Sequence, residues 1–377
     1  MASKKIMISL FFAILILIPM ATFLFPKKSF SDEENRQLAE TPHPTAQNIA
    51  DKSFMRNAEN FMADHIVGRN TFVSTRTKLE MASGKREVNG VFIGKKRLLQ
   101  NIAQPDEKIT RTNLEAINAF AEKYRDNIST NVMLVPTALQ FYQSEKPALA
   151  ETVDQLQYIQ DFYAGLKFAE GVDVYTTLAA NTSSGIYYRT DHHWTSYGSY
   201  LGYTALAKNL GFKATSLDNF NIEHASHDFL GTLYSKVLYG EELADGIDLY
   251  SYASGDVVKD VIKYKGKQSI TYSSILFREF LEEKDQYQVF LGGNNGVVTI
   301  KTNVHNGKRL LVFKDSFANS IMQFLPLHYE EITLVDVRYM NLPLEEFIDI
   351  AKYSQALFLF NVGTFTETND LIKVKQY

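Results

Sequence analysis

Arg309-Leu310-Leu311-Val312-Phe313-Lys314-Asp315-Ser316-Phe317-Ala318-Asn319-Ser320 decides the fold of this 377-residue chain. The apolar residues Leu310 to Phe313 follow one another without a break, as in a strand buried on both faces of a parallel sheet. Asp315-Ser316 reads as a turn, and helix is expected over about 317–325. A strand that runs straight into a helix is half of a parallel α/β unit. Ligands of such sheets gather at the carboxyl ends of the strands, where Ser316 would stand. Free N–H groups at the helix start could steady an oxyanion there. An isolated Asp-Ser is more often a helix cap, so the reading needs support from elsewhere in the chain.

The flanking sequence repeats the pattern. Downstream, strands are expected at 332–335 and 356–361, with a helix at 344–353. Upstream, an amphipathic helix at 110–126 precedes a buried strand at 131–136. A long helix over roughly 147–169 and a short strand at 172–175 follow. Residues 228–305 differ: alternating runs such as Ile262-Lys263-Tyr264, Ile270-Thr271-Tyr272 and Val297-Val298-Thr299-Ile300-Lys301 lie between glycine turns. They read as a β-hairpin-rich insertion into the α/β frame.

The segment Tyr188-Arg189-Thr190-Asp191-His192-His193-Trp194-Thr195-Ser196 holds the only tryptophan and two of the eight histidines. Helix is expected over 196–209, with Thr195 as its N-cap and Gly211 beyond its end. The cluster therefore lies in the loop feeding a helix N-terminus, whose positive end disfavours an imidazolium. A neutral histidine is what a general base must be, and an aspartate two residues away can fix its tautomer. A loop of locally satisfied histidines is the bland alternative. A metal site recruiting His224, His227 or Asp228 is another, but the spacing matches no common zinc motif. Asp191, His193 and Ser316 together supply the acid, base and hydroxyl that nucleophilic catalysis requires.

Composition narrows the classes. Apolar residues make up 45% and charged residues 22%, as in a folded globular protein. Thirty-nine basic against 43 acidic residues leave a net charge of −4, which argues against nucleic-acid binding. The absence of cysteine excludes disulfides, thiolate metal sites and cysteine nucleophiles. Twenty-one tyrosines suit sugar surfaces but also simply pack. After Lys4 and Lys5, residues 6–25 carry no charge; a helix of that length spans about 30 Å, the thickness of a bilayer core. Residues 1–25 are accordingly expected to be an uncleaved membrane anchor or a signal segment, and 26–50 a polar linker. Residues 51–377 are expected to form the domain outside the cytoplasm.

Thr190-Asp191-His192-His193-Trp194-Thr195 together with Lys314-Asp315-Ser316-Phe317-Ala318-Asn319 resembles the DHHW protein family, a relative of the SGNH-fold O-acetyltransferases of alginate and other exopolysaccharides. Glu33-Glu34-Asn35-Arg36, Asn89-Gly90-Val91-Phe92-Ile93-Gly94, Val135-Pro136-Thr137 and Gly231-Thr232-Leu233-Tyr234-Ser235-Lys236 resemble further family blocks. The resemblance implies an SGNH-hydrolase-like three-layer α/β sandwich with a parallel sheet, circularly permuted so that the Asp-His segment precedes the serine. It implies Ser316 as nucleophile, His193 as base and Asp191 as its partner, with no metal and no cofactor. Lys314 stands where the family's serine motif begins with glycine, a departure that bears on the turn. Arg338 and Tyr339 resemble an active-site arginine segment, and Gly293 and Asn294 could serve as oxyanion support; His192 and Trp194 flank the base. The implied activity is acetyl transfer to a cell-surface or exopolysaccharide hydroxyl through an acetyl-serine. A membrane-bound O-acyltransferase would be the acetyl donor. The same triad would serve a carbohydrate acetyl-esterase, and a silent triad a polysaccharide-binding or assembly protein.

Overall fold

The computed structural model describes residues 2–31, 33–34, 36–340 and 342–376; Asn35 of the Glu33-Glu34-Asn35-Arg36 block lies outside them, as does Tyr377 at the end of the expected domain. At its centre is an eight-stranded mixed sheet. Its order is Gln268–Tyr272, Val258–Lys265, Val297–Thr302, Glu331–Val335, Arg309–Lys314, Gln355–Asn361, Ser129–Val135, Ala169–Gly171. The last five of these are mutually parallel. The first three are antiparallel, each to its neighbours.

Alternate residues of the parallel strands face opposite ways, and two apolar layers follow. Leu310, Val312, Ile332, Leu334, Leu357 and Leu359 pack with Trp194, Leu206 and Phe317 on one side. Leu311, Phe313, Val335, Phe358 and Phe360 pack with Ile117, Phe120 and Phe162 on the other. The sheet is thus covered on both faces, which explains its unbroken apolar strands.

Helices lie where caps and periodicity coincide. Glu107–Tyr124 starts at Asp106, whose carboxylate accepts from the N–H groups of Lys108 and Ile109. Ser196–Leu210 starts at Thr195, which accepts from Gly198 N–H, and ends at Gly211 with φ of 66°.

Several expectations are corrected. The sheet is mixed rather than parallel throughout. Three strands of the 228–305 range extend the central sheet itself, and only the hairpin Phe220–Phe229 with Asp245–Tyr252 stands apart. The helix expected over 147–169 is confined to Gln155–Ala164, because Asp154 caps it and Gly165 ends it. The strand expected at 172–175 lies at Ala169–Gly171, and Asp173 accepts from Thr176 N–H to turn the chain into Tyr175–Ala179. The 317–325 helix stops at Ile321, before the 3₁₀ turn Leu325–His328 that carries Pro326. The 344–353 helix is two 3₁₀ turns, Leu344–Glu346 and Ile350–Lys352.

The amino-terminal helix Ala2–Leu24 contains a stretch, Lys4–Thr22, long and apolar enough to cross a membrane. The segment after it is more than a loose tether. Arg36 binds both carboxylate oxygens of Asp64, at 2.5 and 3.0 Å, and Arg69 binds Glu34 at 2.8 Å. These ion pairs fasten 26–50 onto the helices Ser53–His65 and Arg69–Ala82.

Candidate active site

At the carboxyl end of Arg309–Lys314 the chain turns sharply into the short helix Phe317–Ile321. Asp315 makes the turn. One carboxylate oxygen accepts from Phe317 N–H at 2.9 Å. The other accepts from the backbone and side-chain amides of Asn361, at 2.7 and 2.6 Å, on the neighbouring strand. Burial pushes the Asp315 carboxyl up, opposed by Arg338 and these N–H donors. Because Asp315 does the capping, the Ser316 hydroxyl is left for another partner.

That partner is His193. Its Nε2 lies 2.7 Å from Ser316 Oγ and its Nδ1 lies 2.6 Å from Asp191 Oδ1. Asp191 also accepts from His193 N–H, from Thr232 N–H and from the Thr232 hydroxyl, at 2.9, 2.7 and 2.8 Å. Burial alone would raise its carboxyl. The neighbouring histidines and these donors outweigh burial and hold it well below the usual carboxylate range. An ionised Asp191 only accepts, so Nδ1 of His193 carries a proton and Nε2 offers its lone pair to the Ser316 O–H.

The surroundings are built to this chain of bonds. Gly231 has no room for a side chain: a Cβ there would stand 2.3 Å from that of Asp191. Asp245, buried, accepts from the N–H groups of Arg189 and Thr190 and from the Thr190 hydroxyl, which fixes the loop before Asp191. Trp194 is fully buried, and its Nε1–H reaches Phe317 O at 3.0 Å and Ser320 Oγ at 2.9 Å. It binds the histidine loop to the helix beyond the serine. Gly202 on the Ser196–Leu210 helix makes way for its ring. Tyr287 stacks on the His193 ring, and its hydroxyl donates to Ser316 O and Ser320 Oγ, at 3.3 and 3.2 Å.

The other expected residues have distinct places. His192 donates through Nδ1 to Thr232 Oγ1 at 2.6 Å, and its ring lies 3.8 Å from that of His193. Burial, then the His193 charge, pushes it down to about 3, so it is neutral near pH 7. Arg338 is held by Asp336 in a bidentate pair of 2.8 and 2.7 Å, while Tyr339 is half exposed. Gly293 has φ of 81°, and Asn294 Oδ1 faces Lys314 and Asn319. Thr232, Tyr287, Asp245 and Asn361 were not among the expected site residues. Only Thr232 lies in a block quoted for the resemblance.

Asp191, His192 and His193 bring ligand atoms within 4.8 Å of one another. In the structure these atoms are engaged with Thr232, Ser316 and one another.

Fold and site thus define a three-layer α/β protein with an acid–imidazole–hydroxyl chain at the carboxyl edge of its sheet. The chain belongs to the DHHW protein family, whose model matches residues 103–335. It is similar to the crystal structure of a DHHW family protein from Eubacterium siraeum. That similarity has 25% identity and a TM-score of 0.66, over 77% of this chain and 96% of that one. Bacillus cereus PatB1 with a sulfonyl adduct shares the fold at 19% identity and a TM-score of 0.63, over 74% of this chain and 96% of that one. No curated protein matches the chain.

Proposed function

We propose that the protein is an extracytoplasmic O-acetyltransferase that acetylates a cell-surface or exopolysaccharide hydroxyl through Ser316, His193 and Asp191. The observation that carries this reading is the unbroken hydrogen-bond chain from Asp191 through His193 to Ser316, with links of 2.6 and 2.7 Å. Membership of the DHHW family supports it.

In the first half-reaction His193 Nε2 takes the Ser316 proton as Oγ bonds to the acetyl carbonyl of the donor. The bond from that carbon to the donor's leaving oxygen breaks, and His193 returns the proton to it. In the second half a sugar hydroxyl loses its proton to His193 and attacks the acetyl-serine, and Ser316 recovers the proton as it leaves. Asp191 stays ionised throughout and steadies the imidazolium. The apolar amino-terminal helix would hold the domain at the membrane, where a membrane-bound O-acyltransferase delivers acetyl groups. Tethering raises the effective concentration of that encounter.

The test is mass spectrometry of polysaccharide oligomers incubated with the protein and an acetyl donor. Oligomers gaining acetyl support transfer, whereas loss of acetyl from pre-acetylated oligomers alone makes the protein an esterase. A Ser316→Ala protein that retains wild-type turnover would sink the site assignment, and a native protein with neither transfer nor ester cleavage would leave a binding role.

A further inference from the structure

The turn Ile66-Val67-Gly68 is tied to the last turn of the amino-terminal helix. Val67 N–H donates to Thr22 Oγ1 at 3.2 Å, and Thr22, 1% exposed, is the one buried residue among those described in that helix. His65, just before the turn, donates through Nε2 to Lys28 O at 3.0 Å, and Lys27 bonds Thr22 O. Thr22 closes the apolar stretch Lys4–Thr22, two residues and about 3 Å of rise before the helix ends. Where that stretch leaves a bilayer, the turn lies at the same depth.

The helices that meet at this turn carry apolar side chains without protein cover. Ser53–His65 has no buried residue, although Phe54, Met55, Ala58, Phe61 and Met62 recur at helical spacing. Arg69–Ala82 turns Val73 and Met81 toward Leu233 and Val237 but leaves Phe72 and Leu79 outside. Beyond Phe25, twelve large apolar side chains are exposed among the described residues. Five of them, Ile49, Met55, Met62, Phe72 and Leu79, lie within 46–82, next to the helix that suits a membrane. Met62 and Phe72, 36% and 49% exposed, each stand one helical turn from Ile66-Val67-Gly68. A groove of about 420 Å³ opens beside the turn, with Phe25, Pro26, Ile66, Val67 and Arg69 in its walls.

Resting on the reading of Ala2–Leu24 as a membrane anchor, we propose that this turn, with Met62 and Phe72, docks into the interfacial layer of the same bilayer. Lipid then covers what protein leaves bare, since the apolar face of an amphipathic helix settles about 5–10 Å into the boundary of headgroups and acyl chains. Lys27 and Lys28 come to stand at the level of the lipid phosphates. The docking reaches the candidate active site. Thr77 on Arg69–Ala82 donates to Val237 O at 2.7 Å, and the helix Thr232–Val237 starts at the residue that holds Asp191. The bilayer thus sets the height of Ser316 through packed helices, where a free tether would let it swing.

The chain has no cysteine, so a single introduced cysteine carries a fluorophore at one place only. Full-length Met62→Cys, Phe72→Cys, Phe168→Cys and Leu15→Cys proteins are labelled with NBD and placed in phosphatidylcholine nanodiscs, with circular dichroism to verify folding. Phe168 is an exposed reference before Ala169–Gly171, at the amino ends of the parallel strands and so at the edge opposite Ser316. Two quenchers are compared, a phosphatidylcholine with a nitroxide high on its acyl chain and aqueous iodide. At Met62→Cys and Phe72→Cys we expect the nitroxide to quench at least about threefold more, and iodide at least about threefold less, than at Phe168→Cys. Iodide reaching both positions as freely as Phe168→Cys overturns the proposal. Labels that neither quencher reaches are covered by protein, a second copy of the chain included, and overturn it as well. If the nitroxide fails to quench even Leu15→Cys, the anchor reading itself falls and the docking with it.

Discussion

Tyr287 lies flat against His193, with ring centroids 3.7 Å apart and planes 7° from parallel. The tyrosine comes from the 3₁₀ turn Gln286–Val289, far along the chain from the histidine, and its hydroxyl reaches the backbone oxygen of Ser316. One side chain thus touches both ends of the proton path. Stacked aromatic pairs contribute about 0.5–1.5 kcal/mol beyond their burial, a factor of roughly 2 to 10 in an equilibrium. Tyr287→Phe keeps the stack and loses only the hydroxyl contacts, so its turnover of a chromogenic acetyl ester should stay within a few-fold of wild type. Tyr287→Leu should fall about tenfold or more in kcat. Equal activities for the two variants would refute the clamp.

Asp191 offers a second check. Asp191→Asn keeps the shape but replaces one accepting oxygen by a donor, which favours the His193 tautomer with its proton on Nε2, facing Ser316. Loss of the correct tautomer costs a serine hydrolase on the order of 10⁴-fold, and a fall of about 10³–10⁴ in kcat is expected here. The native carboxyl lies below its unfolded value. Its contribution to stability is therefore present above about pH 4 and is lost only in stronger acid. Thermal melts between pH 7 and 5 should show no unfolding step that Asp191→Asn removes.

Gly231→Ala tests the packing beneath Asp191. The added methyl would stand 2.3 Å from Asp191 Cβ and 2.5 Å from its Oδ2, against a carboxylate already held by Thr232. Overpacking of this kind costs about 1–3 kcal/mol. Calorimetry should record a lower Tm, and acetyl-ester turnover should drop further than the Tm shift accounts for. A variant as stable and active as wild type would mean that the contact relaxes freely.

His328, remote from Ser316, makes stability depend on pH. The Tyr203 hydroxyl accepts from Thr215 N–H and so donates its own proton to His328 Nε2 at 2.6 Å. Phe212 stacks on the same ring at 4.1 Å. Burial, then Lys308, pushes His328 down to about 4. The unfolded chain therefore binds a proton between about pH 6.5 and 4 that the folded chain refuses, and stability falls as pH drops through that window. His192, pushed down to about 3, acts in the same direction. His328→Gln retains an acceptor for Tyr203 and should shrink the difference in Tm between pH 7 and pH 5. An unchanged difference would assign the pH dependence elsewhere.

What was legible in the sequence was local. Arg309–Lys314 reads as a strand because its apolar run is short and ends at a turn, and the structure has that strand. The Ser196–Leu210 helix announces itself through Thr195 and Gly211, which act at a range of a few residues. Asp191, His193 and Ser316 are recognisable by type, and the fold brings them together across 123 residues. The rest depended on contacts without a local signature. Tyr287 is one of 21 tyrosines, and nothing beside it in the chain says that it meets a histidine. Asp315 and Ser316 both suit a cap, and only Asn361 on the adjacent strand shows which of them takes that duty. The strands around 258–302 look like separate hairpins because alternation reveals pairing without naming the partner, which here is the central sheet.

Trp194 has a further consequence. By anchoring its indole N–H on Phe317 and Ser320 it makes the histidine loop and the serine turn a single rigid block. Base and hydroxyl are then aligned before any ligand arrives, and no binding energy is consumed in assembling them. Under the proposed function, choice between a sugar and water as acceptor would fall outside that block, to the shape and wetting of the rim around Ser316. Changes of specificity among relatives should therefore accumulate in surface loops, leaving the indole and its two partners in place.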